Sequence, residues 1–393
     1  MLYLDNSATT PLAPEVRDAM AEAYDEVWGN PSSLHSAGNA AERLLTESRR
    51  AVLEAMGIRN LPAVQLNRLI FTGSGTEANN IALFGTAHAK PSCRGMRIVT
   101  TPDQHPSVSE PLRRLEAEGF EVVRISVKGG ALDIAELEAA LDSRTLLLSI
   151  MGVNNETGAA YDAAGAFALA RRINPEIITH TDAVQSFLKL PDPAGYQPDR
   201  LNADLMTVSA HKLNGPKGVG ALYISERLLT GKRIVPIILG GGQEFGFRSG
   251  TENVAGAAGF AAACGLPRSP EAAAAARSKI IALLAERAPG VAVNQPAAAA
   301  PHILSLTLPD VQSETMVHFL SQSDIYVSGG SACSSRSRKV SESLTAFGLS
   351  PREAARTIRV SLPVGAGSEA LTDAGCEAFA DALAAGLARL YKR

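Results

Sequence analysis

Lys212 stands in Ser209-Ala210-His211-Lys212, ahead of Leu213-Asn214-Gly215-Pro216-Lys217-Gly218. Asp182 stands in Thr181-Asp182-Ala183-Val184-Gln185-Ser186. An amine set among small and hydrogen-bonding residues can condense with an aldehyde, and a carboxylate closing an apolar run can keep a pyridine nitrogen protonated and electron-withdrawing. Those are two requirements of pyridoxal phosphate (PLP), met here within about one βαβ unit of chain. A single lysine is usually solvated and a single aspartate before a helix is usually an N-cap, so the pair gains meaning only from what surrounds it.

Three further stretches carry chemistry. Phe71-Thr72-Gly73-Ser74-Gly75-Thr76-Glu77-Ala78-Asn79-Asn80 follows a strand pattern and opens a helical one. Small residues there let backbone amides approach an anion at a helix N-terminus, and the absence of Gly-Lys-Ser/Thr excludes a Walker loop. Gly240-Gly241-Gly242-Gln243-Glu244 leads into Phe247-Arg248-Ser249-Gly250-Thr251-Glu252-Asn253, where hydroxyl, guanidinium and amide groups suit phosphate or carboxylate. In Ser328-Gly329-Gly330-Ser331-Ala332-Cys333-Ser334-Ser335-Arg336-Ser337-Arg338-Lys339 a cysteine lies in a polar, glycine-flanked, basic setting that favours a reactive thiolate. Cys93, Cys264 and Cys376 sit in unremarkable contexts and read as structural. No Cys-x-x-Cys pair suggests a disulfide framework or a metal site.

These residues need a scaffold, and the pattern from Leu69 to Ile224 supplies one. Apolar runs at Leu69-Ile70-Phe71, Arg97-Ile98-Val99, Glu121-Val122-Val123, Leu146 to Ile150, Ile177-Ile178-Thr179 and Leu205 to Val208 alternate with helical spacing, as from Ile134 to Leu141. The alternation predicts an α/β fold with a mostly parallel, doubly wound sheet whose ligands sit at the carboxyl ends of the strands. After Gly256 the chain becomes Ala-rich, with a helix predicted from Ser269-Pro270 to Pro289-Gly290. Strands follow at His302 to Leu308 and Ile358 to Leu362, then a final helix from about Glu369. This reads as a smaller α+β C-terminal domain, with the alanine tract between Pro296 and Pro301 a loop. The expected division is a large domain over 13–256 and a small one from 1–12 and 257–393, the latter carrying the cysteine loop at about 328–345.

The chain has 393 residues, 46% hydrophobic and 20% charged, with net charge -3. That is the balance of an ordinary globular protein, with no electrostatic case for nucleic acid or an anionic membrane. No apolar run is long enough to span a bilayer and the N-terminus lacks a signal-peptide pattern, so a cytoplasmic location is expected.

Together these motifs resemble the cysteine desulfurases of the class V aminotransferase family, which have the PLP-dependent transferase fold type I. The similarity runs from Tyr3-Leu4-Asp5-Asn6-Ser7-Ala8-Thr9-Thr10-Pro11 and Gly29-Asn30-Pro31-Ser32-Ser33 to Arg359-Val360-Ser361-Leu362. It implies that Lys212 forms the Schiff base and moves the α-proton, that Asp182 partners the pyridine nitrogen, and that His105 stacks on the ring as an acid/base. Asn155 and Gln185 would surround the phenolic oxygen, with Asn155 also near the substrate. Gly75, Thr76, Ser209 and His211 would hold the phosphate, with Thr251 arriving from the other subunit of a homodimer. Arg359 would clamp the carboxylate of L-cysteine and Cys333 would take its sulfur as a persulfide, releasing L-alanine. A sulfur-acceptor or scaffold protein is the implied partner, in iron–sulfur cluster assembly or thiolation, and no metal ligand set is implied. The Ser-Ala-Cys loop resembles that of the iron–sulfur and nitrogenase group. Against the pattern of that family, Asn214 stands where an aromatic is frequent, Gly152 where a histidine is common and Leu362-Pro363-Val364 in place of Ser-Leu-Gly, and the run after Cys333 is unusually basic. A selenocysteine lyase or other class V lyase or aminotransferase would share Lys212 and Asp182 without needing Cys333. A non-catalytic assembly partner would need none of the chemical groups.

Overall fold

The computed structural model describes every residue except 61, 94, 330–339, 366–367 and 391–393; Cys333, with the basic Arg336, Arg338 and Lys339, lies outside the described residues. In chain order the strands are β1 (Leu2–Tyr3), β2 (Leu69–Thr72), β3 (Arg97–Thr100), β4 (Glu121–Arg124), β5 (Thr145–Ser149), β6 (Ile178–Asp182), β7 (Leu205–Ser209) and β8 (Gly220–Ile224). They continue as β9 (Ala292–Val293), β10 (Ile303–Thr307), β11 (Ile325–Tyr326), β12 (Ser328–Gly329) and β13 (Thr357–Ser361).

The central sheet has the order β2-β8-β7-β6-β5-β3-β4. Every neighbouring pair is parallel except those of β8, which runs antiparallel to β2 and β7. β2, β5, β6, β7 and β8 are buried along their whole length. Helices on both faces explain why their sequences are unbroken apolar runs rather than alternating ones. β4, at the sheet edge, exposes Glu121 and Arg124. Each predicted apolar run overlaps a strand, with Ile150 just past the end of β5 and Ile177 just before the start of β6. β8 was not singled out, and its reversal has a consequence: the chain must turn at the carboxyl edge of β7, and that turn carries Lys212. Asp182 ends β6 and Ser209 ends β7, while the segments leaving β2, β3 and β5 at the same edge lead to Gly75, His105 and Asn155.

The helices that matter for the site are α1 (Pro14–Glu26), α2 (Ser36–Ala55), α3 (Gly75–Ala87) and α4 (Pro106–Ala117). A second, antiparallel sheet of order β12-β13-β10-β9 packs with the helices Pro270–Arg287 and Asp373–Leu390 around Leu304, Ile358, Phe379 and Leu383. Ser269 occupies the N-cap position of the first of these without a side-chain cap bond, Pro270 following it. The last α-helix starts at Asp373 because a separate 3₁₀ turn takes Glu369–Leu371. Leu2 and Leu4 join this second core, β1 pairing with β11. The Pro296–Pro301 segment is a loop, docked by Ala160 N–H to Ala298 O and Ala300 N–H to Gly158 O. Cys93 and Cys376 are buried, and burial pushes the Cys264 thiol up to about 12, as expected of inert cysteines.

Candidate active site

Asp182 is buried at the carboxyl end of β6. Its Oδ1 accepts from Val184 N–H at 3.0 Å and its Oδ2 from Asn79 Nδ2 at 2.8 Å. Asn79 lies on the inward side of α3, whose start is fixed by Ser74, the hydroxyl accepting from Glu77 N–H. The same Asn79 amide donates to Ser107 Oγ at 2.8 Å, and Ser107 in turn meets His105 Nδ1 through its hydroxyl at 2.7 Å and its N–H at 3.1 Å. The N–H makes Nδ1 an acceptor, which puts the proton of the neutral ring on Nε2. Burial, with Lys212 adding to it and Asp182 opposing, lowers the His105 pKa. The loop carrying His105 is secured by the buried Asp103, which accepts from Tyr161 Oη at 2.5 Å and Asn154 Nδ2 at 2.9 Å.

Lys212 sits in the turn between β7 and β8, its Nζ donating to Ser7 O at 2.6 Å and Ala8 O at 2.7 Å. Gln185 Nε2 donates to the same Ser7 carbonyl at 2.9 Å. Beside Lys212, His211 contacts Thr9 Oγ1 at 3.1 Å and is pushed down to about 4 by burial and the nearby lysines. Asn214 adopts a φ of 60°, a region asparagine tolerates better than an aromatic does. Arg268 bonds its Oδ1 at 3.2 Å and Leu213 O at 2.9 Å, holding the far side of the turn. These contacts and this backbone conformation suit an asparagine at 214 better than the aromatic expected from the resemblance.

The donor set fits pyridoxal phosphate. Ser209 Oγ is buried without a hydrogen-bond partner, at the end of β7. A Cβ on Gly75 would come within 3.4 Å of Ser209 Cβ and 3.2 Å of Val184 Cγ2, so the first turn of α3, Ser209 and the residues after Asp182 meet in one place. A helix N-terminus with a spare hydroxyl is suited to a phosphate, and the Asp182 carboxylate, reached by one amide and one N–H, is suited to a protonated ring nitrogen. Thr76 is exposed on the first turn of α3, and Thr251 is exposed farther along the chain. No described contact joins Thr251 to the other site residues.

Arg359, on β13, is 2% exposed. Its Nη2 pairs with Asp5 Oδ1 at 2.7 Å and its Nη1 donates to Asn155 O at 2.9 Å. Asp5 also accepts from Ser328 Oγ at 2.7 Å. Next to Asn155, the Glu156 carboxyl is pushed up to about 7 by burial and accepts from Ser341 Oγ at 2.6 Å. The glycine-rich 240–253 stretch is anchored rather than free: buried Glu244 pairs with Arg49 at 2.6 Å and accepts from Phe71 N–H, and Arg248 pairs with Glu77 at 2.8 Å.

Sequence reasoning missed Asn79, Ser107 and Asp5. Asn79 lies one helical turn after Gly75 in the quoted motif, a spacing that faces the sheet; Ser107 lies two residues after His105. Gly152 is also explained. A Cβ there would lie against Ser186 Oγ and 3.0 Å from Tyr196 Cε1, so no histidine fits between those two side chains.

Residues 2–371 match the family model for class V aminotransferases, and the chain belongs to that family, whose members are PLP-dependent in general. Among curated relatives, a NifS/IcsS protein homolog of Lactobacillus delbrueckii subsp. bulgaricus is 39% identical over 369 residues, 92% of each chain. The cysteine desulfurase IscS of Dictyoglomus turgidum is 37% identical over 92% of this chain and 89% of its own. Of solved structures, a NifS-like protein superposes with a TM-score of 0.87 at 32% identity, covering 99% of this chain and 100% of that one. SspA in complex with cysteine gives 0.80 at 30% identity over 93% and 99%. No described helix is long and apolar enough to cross a membrane, and no group of three or more His, Cys, Asp or Glu among the described residues is placed to hold a metal ion.

Proposed function

We propose that this protein is a PLP-dependent cysteine desulfurase that converts L-cysteine to L-alanine and carries the sulfur as a persulfide on Cys333. The observation that carries the reading is the line of contacts from His105 through Ser107 and Asn79 to Asp182, at the strand edge that also bears Lys212. When bound, PLP supplies an electron sink for the carbon it activates.

The chain's own groups do the rest. Asp182, oriented by Asn79 and Val184, would hold a proton on the ring nitrogen. Gly75, Thr76, Ser209 and His211 would receive the phosphate, and Gln185 and Asn155 would serve the phenolic oxygen. Lys212 Nζ takes and returns the α-proton, and His105 Nε2 serves the substrate thiol or the carbon that must be reprotonated. Arg359 binds the substrate carboxylate through guanidinium donors that Asp5 and Asn155 O already hold in place. The Cys333 thiolate forms an S–S bond to the substrate sulfur as the substrate C–S bond breaks, the bonding pair staying with the substrate β-carbon. That carbon takes up the proton released from the Cys333 thiol, leaving alanine and an enzyme persulfide.

Large apolar side chains left exposed, among them Trp28, Leu239 and Phe245, support a homodimer in which Thr251 serves the partner's phosphate site. A protein sulfur acceptor and a cytoplasmic site of action belong to the same reading. The two-domain division belongs to it too. The packing of Leu2 and Leu4 with the C-terminal core supports that division, although Ala257 and Phe260 pack into the larger core.

The test is alanine release from L-cysteine by PLP-loaded protein with a thiol reductant. Alanine with matching sulfide is expected, and Cys333→Ser should bind PLP yet release no alanine. Absence of alanine from the wild type, or sustained turnover by Cys333→Ser, overturns the respective assignment.

A further inference from the structure

Lys189 is a buried amine that the mechanism above leaves unused. It follows Leu188, whose φ of 56° is costly for a bulky residue, and is itself 4% exposed. Its Nζ donates to Gln185 Oε1 at 2.9 Å. The titratable groups that bear on it are Lys212, Arg268 and Arg359, all cationic, and the imidazoles of His211 and His302, whose own pKa values are driven down. Burial, then these like charges, hold the Lys189 pKa well below the ordinary lysine range, favouring a neutral amine donor.

A glutamine amide has two ends of nearly equal shape and opposite hydrogen-bonding sense, so something must decide which way it points. Ser7 O accepts from Gln185 Nε2 at 2.9 Å and from Lys212 Nζ at 2.6 Å. The NH₂ end therefore lies beside the Lys212 amine, and the carbonyl end is turned to Lys189. Reversing the amide would set Oε1 against the Ser7 carbonyl, two acceptors face to face in a buried site.

We infer that Lys189 is a positioning residue: by holding Gln185 Oε1 it keeps the Gln185 NH₂ directed at the Lys212 side, as a donor to the ring oxygen of pyridoxal phosphate. The inference rests on the cofactor reading proposed above. It assigns Lys189 an effect that passes through Gln185 alone.

The experiment titrates apoprotein with PLP and follows the visible absorption band for wild type, Lys189→Met, Gln185→Ala and the double variant. Lys189→Met should weaken PLP binding about three- to tenfold, the span of one lost hydrogen bond, and move the band as Gln185→Ala does. The double variant should be no weaker than Gln185→Ala, because the two act in series. Lys189→Gln keeps an NH₂ donor and should retain the wild-type band. Wild-type affinity and band in Lys189→Met, or losses that add in the double variant, overturn the assignment. Should Lys189→Met fail to fold, Lys189→Gln decides: a band like that of Gln185→Ala overturns the inference and a wild-type band upholds it. Wild-type protein that takes up no PLP overturns the cofactor reading itself, and this assignment with it.

Discussion

Two buried aspartates lie at opposite edges of the central sheet. Asp204 immediately precedes β7 at the amino edge and is saturated: Arg171 reaches it at 3.0 Å, Arg227 at 2.6 Å, Ser225 Oγ at 2.9 Å and Thr179 N–H at 3.0 Å. These donors outweigh burial and hold its carboxyl below the usual range. Asp182, at the carboxyl edge, receives one side-chain amide and one N–H, and no guanidinium among the described contacts. One carboxylate is neutralised within the chain; the other, in the function proposed above, is kept for a cation that arrives. Burial also lowers the pKa values of four imidazoles: His105, His180 and His211 near Asp182 and Lys212, and His302 near Lys189.

That contrast can be broken by experiment. Lys212→Ala has the largest expected effect: loss of the visible band of the PLP-loaded protein and a fall in alanine release of at least about 10⁴-fold, with folding retained. Asp182→Asn should lower kcat/KM about 100- to 1,000-fold while the urea midpoint stays close to that of the wild type. Asp204→Asn should do the reverse. Leaving two guanidinium groups without their carboxylate should cost about 3 kcal/mol in urea unfolding, with the activity of the folded fraction preserved. If Asp204→Asn cost activity rather than stability, the division of roles would fail.

Acid should separate the edges more gently. His180 and His211 are held near 4, below the ordinary imidazole value of about 6.5, so their neutral forms stabilise the fold. That contribution is complete above about pH 6.5 and is lost as pH falls toward 4. The contribution of Asp204, whose folded pKa is depressed, is complete above about pH 3.9 and is lost only below it. Unfolding free energy should therefore drop by about 2 kcal/mol from the fully buried His180, and by up to about as much again from the partly exposed His211, between pH 7 and 5, so His180→Gln should remove at least half of that slope. An unchanged slope in His180→Gln would remove His180 as its source.

The parts of the site legible in the sequence are those in which one short motif contains both the chemical group and its local support. Lys212 with Ser209, Asp182 with Val184, and Gly75 with its helix start are of that kind, and the strand runs are legible because full burial leaves only apolar choices. Asn79 and Asp5 escaped because their importance comes from partners far along the chain, Asn79 bonding Asp182 and Asp5 bonding Arg359, and Ser107 because it joins its neighbour His105 to the distant Asn79. No local spacing reports such a contact. The reversal of β8 was not legible for a different reason, since an antiparallel member of a parallel sheet has the same apolar texture as its neighbours and only its pairing sets it apart.

Gly152 has a consequence for how this chain can vary. Because a Cβ there meets Ser186 and Tyr196 at once, the three positions form one epistatic set. A scan of single substitutions would score position 152 as intolerant of any side chain. A combinatorial library that also shrinks 186 and 196 would recover variants the scan cannot reach, so an exchange to a bulkier residue at 152 is open only through changes at those neighbours first.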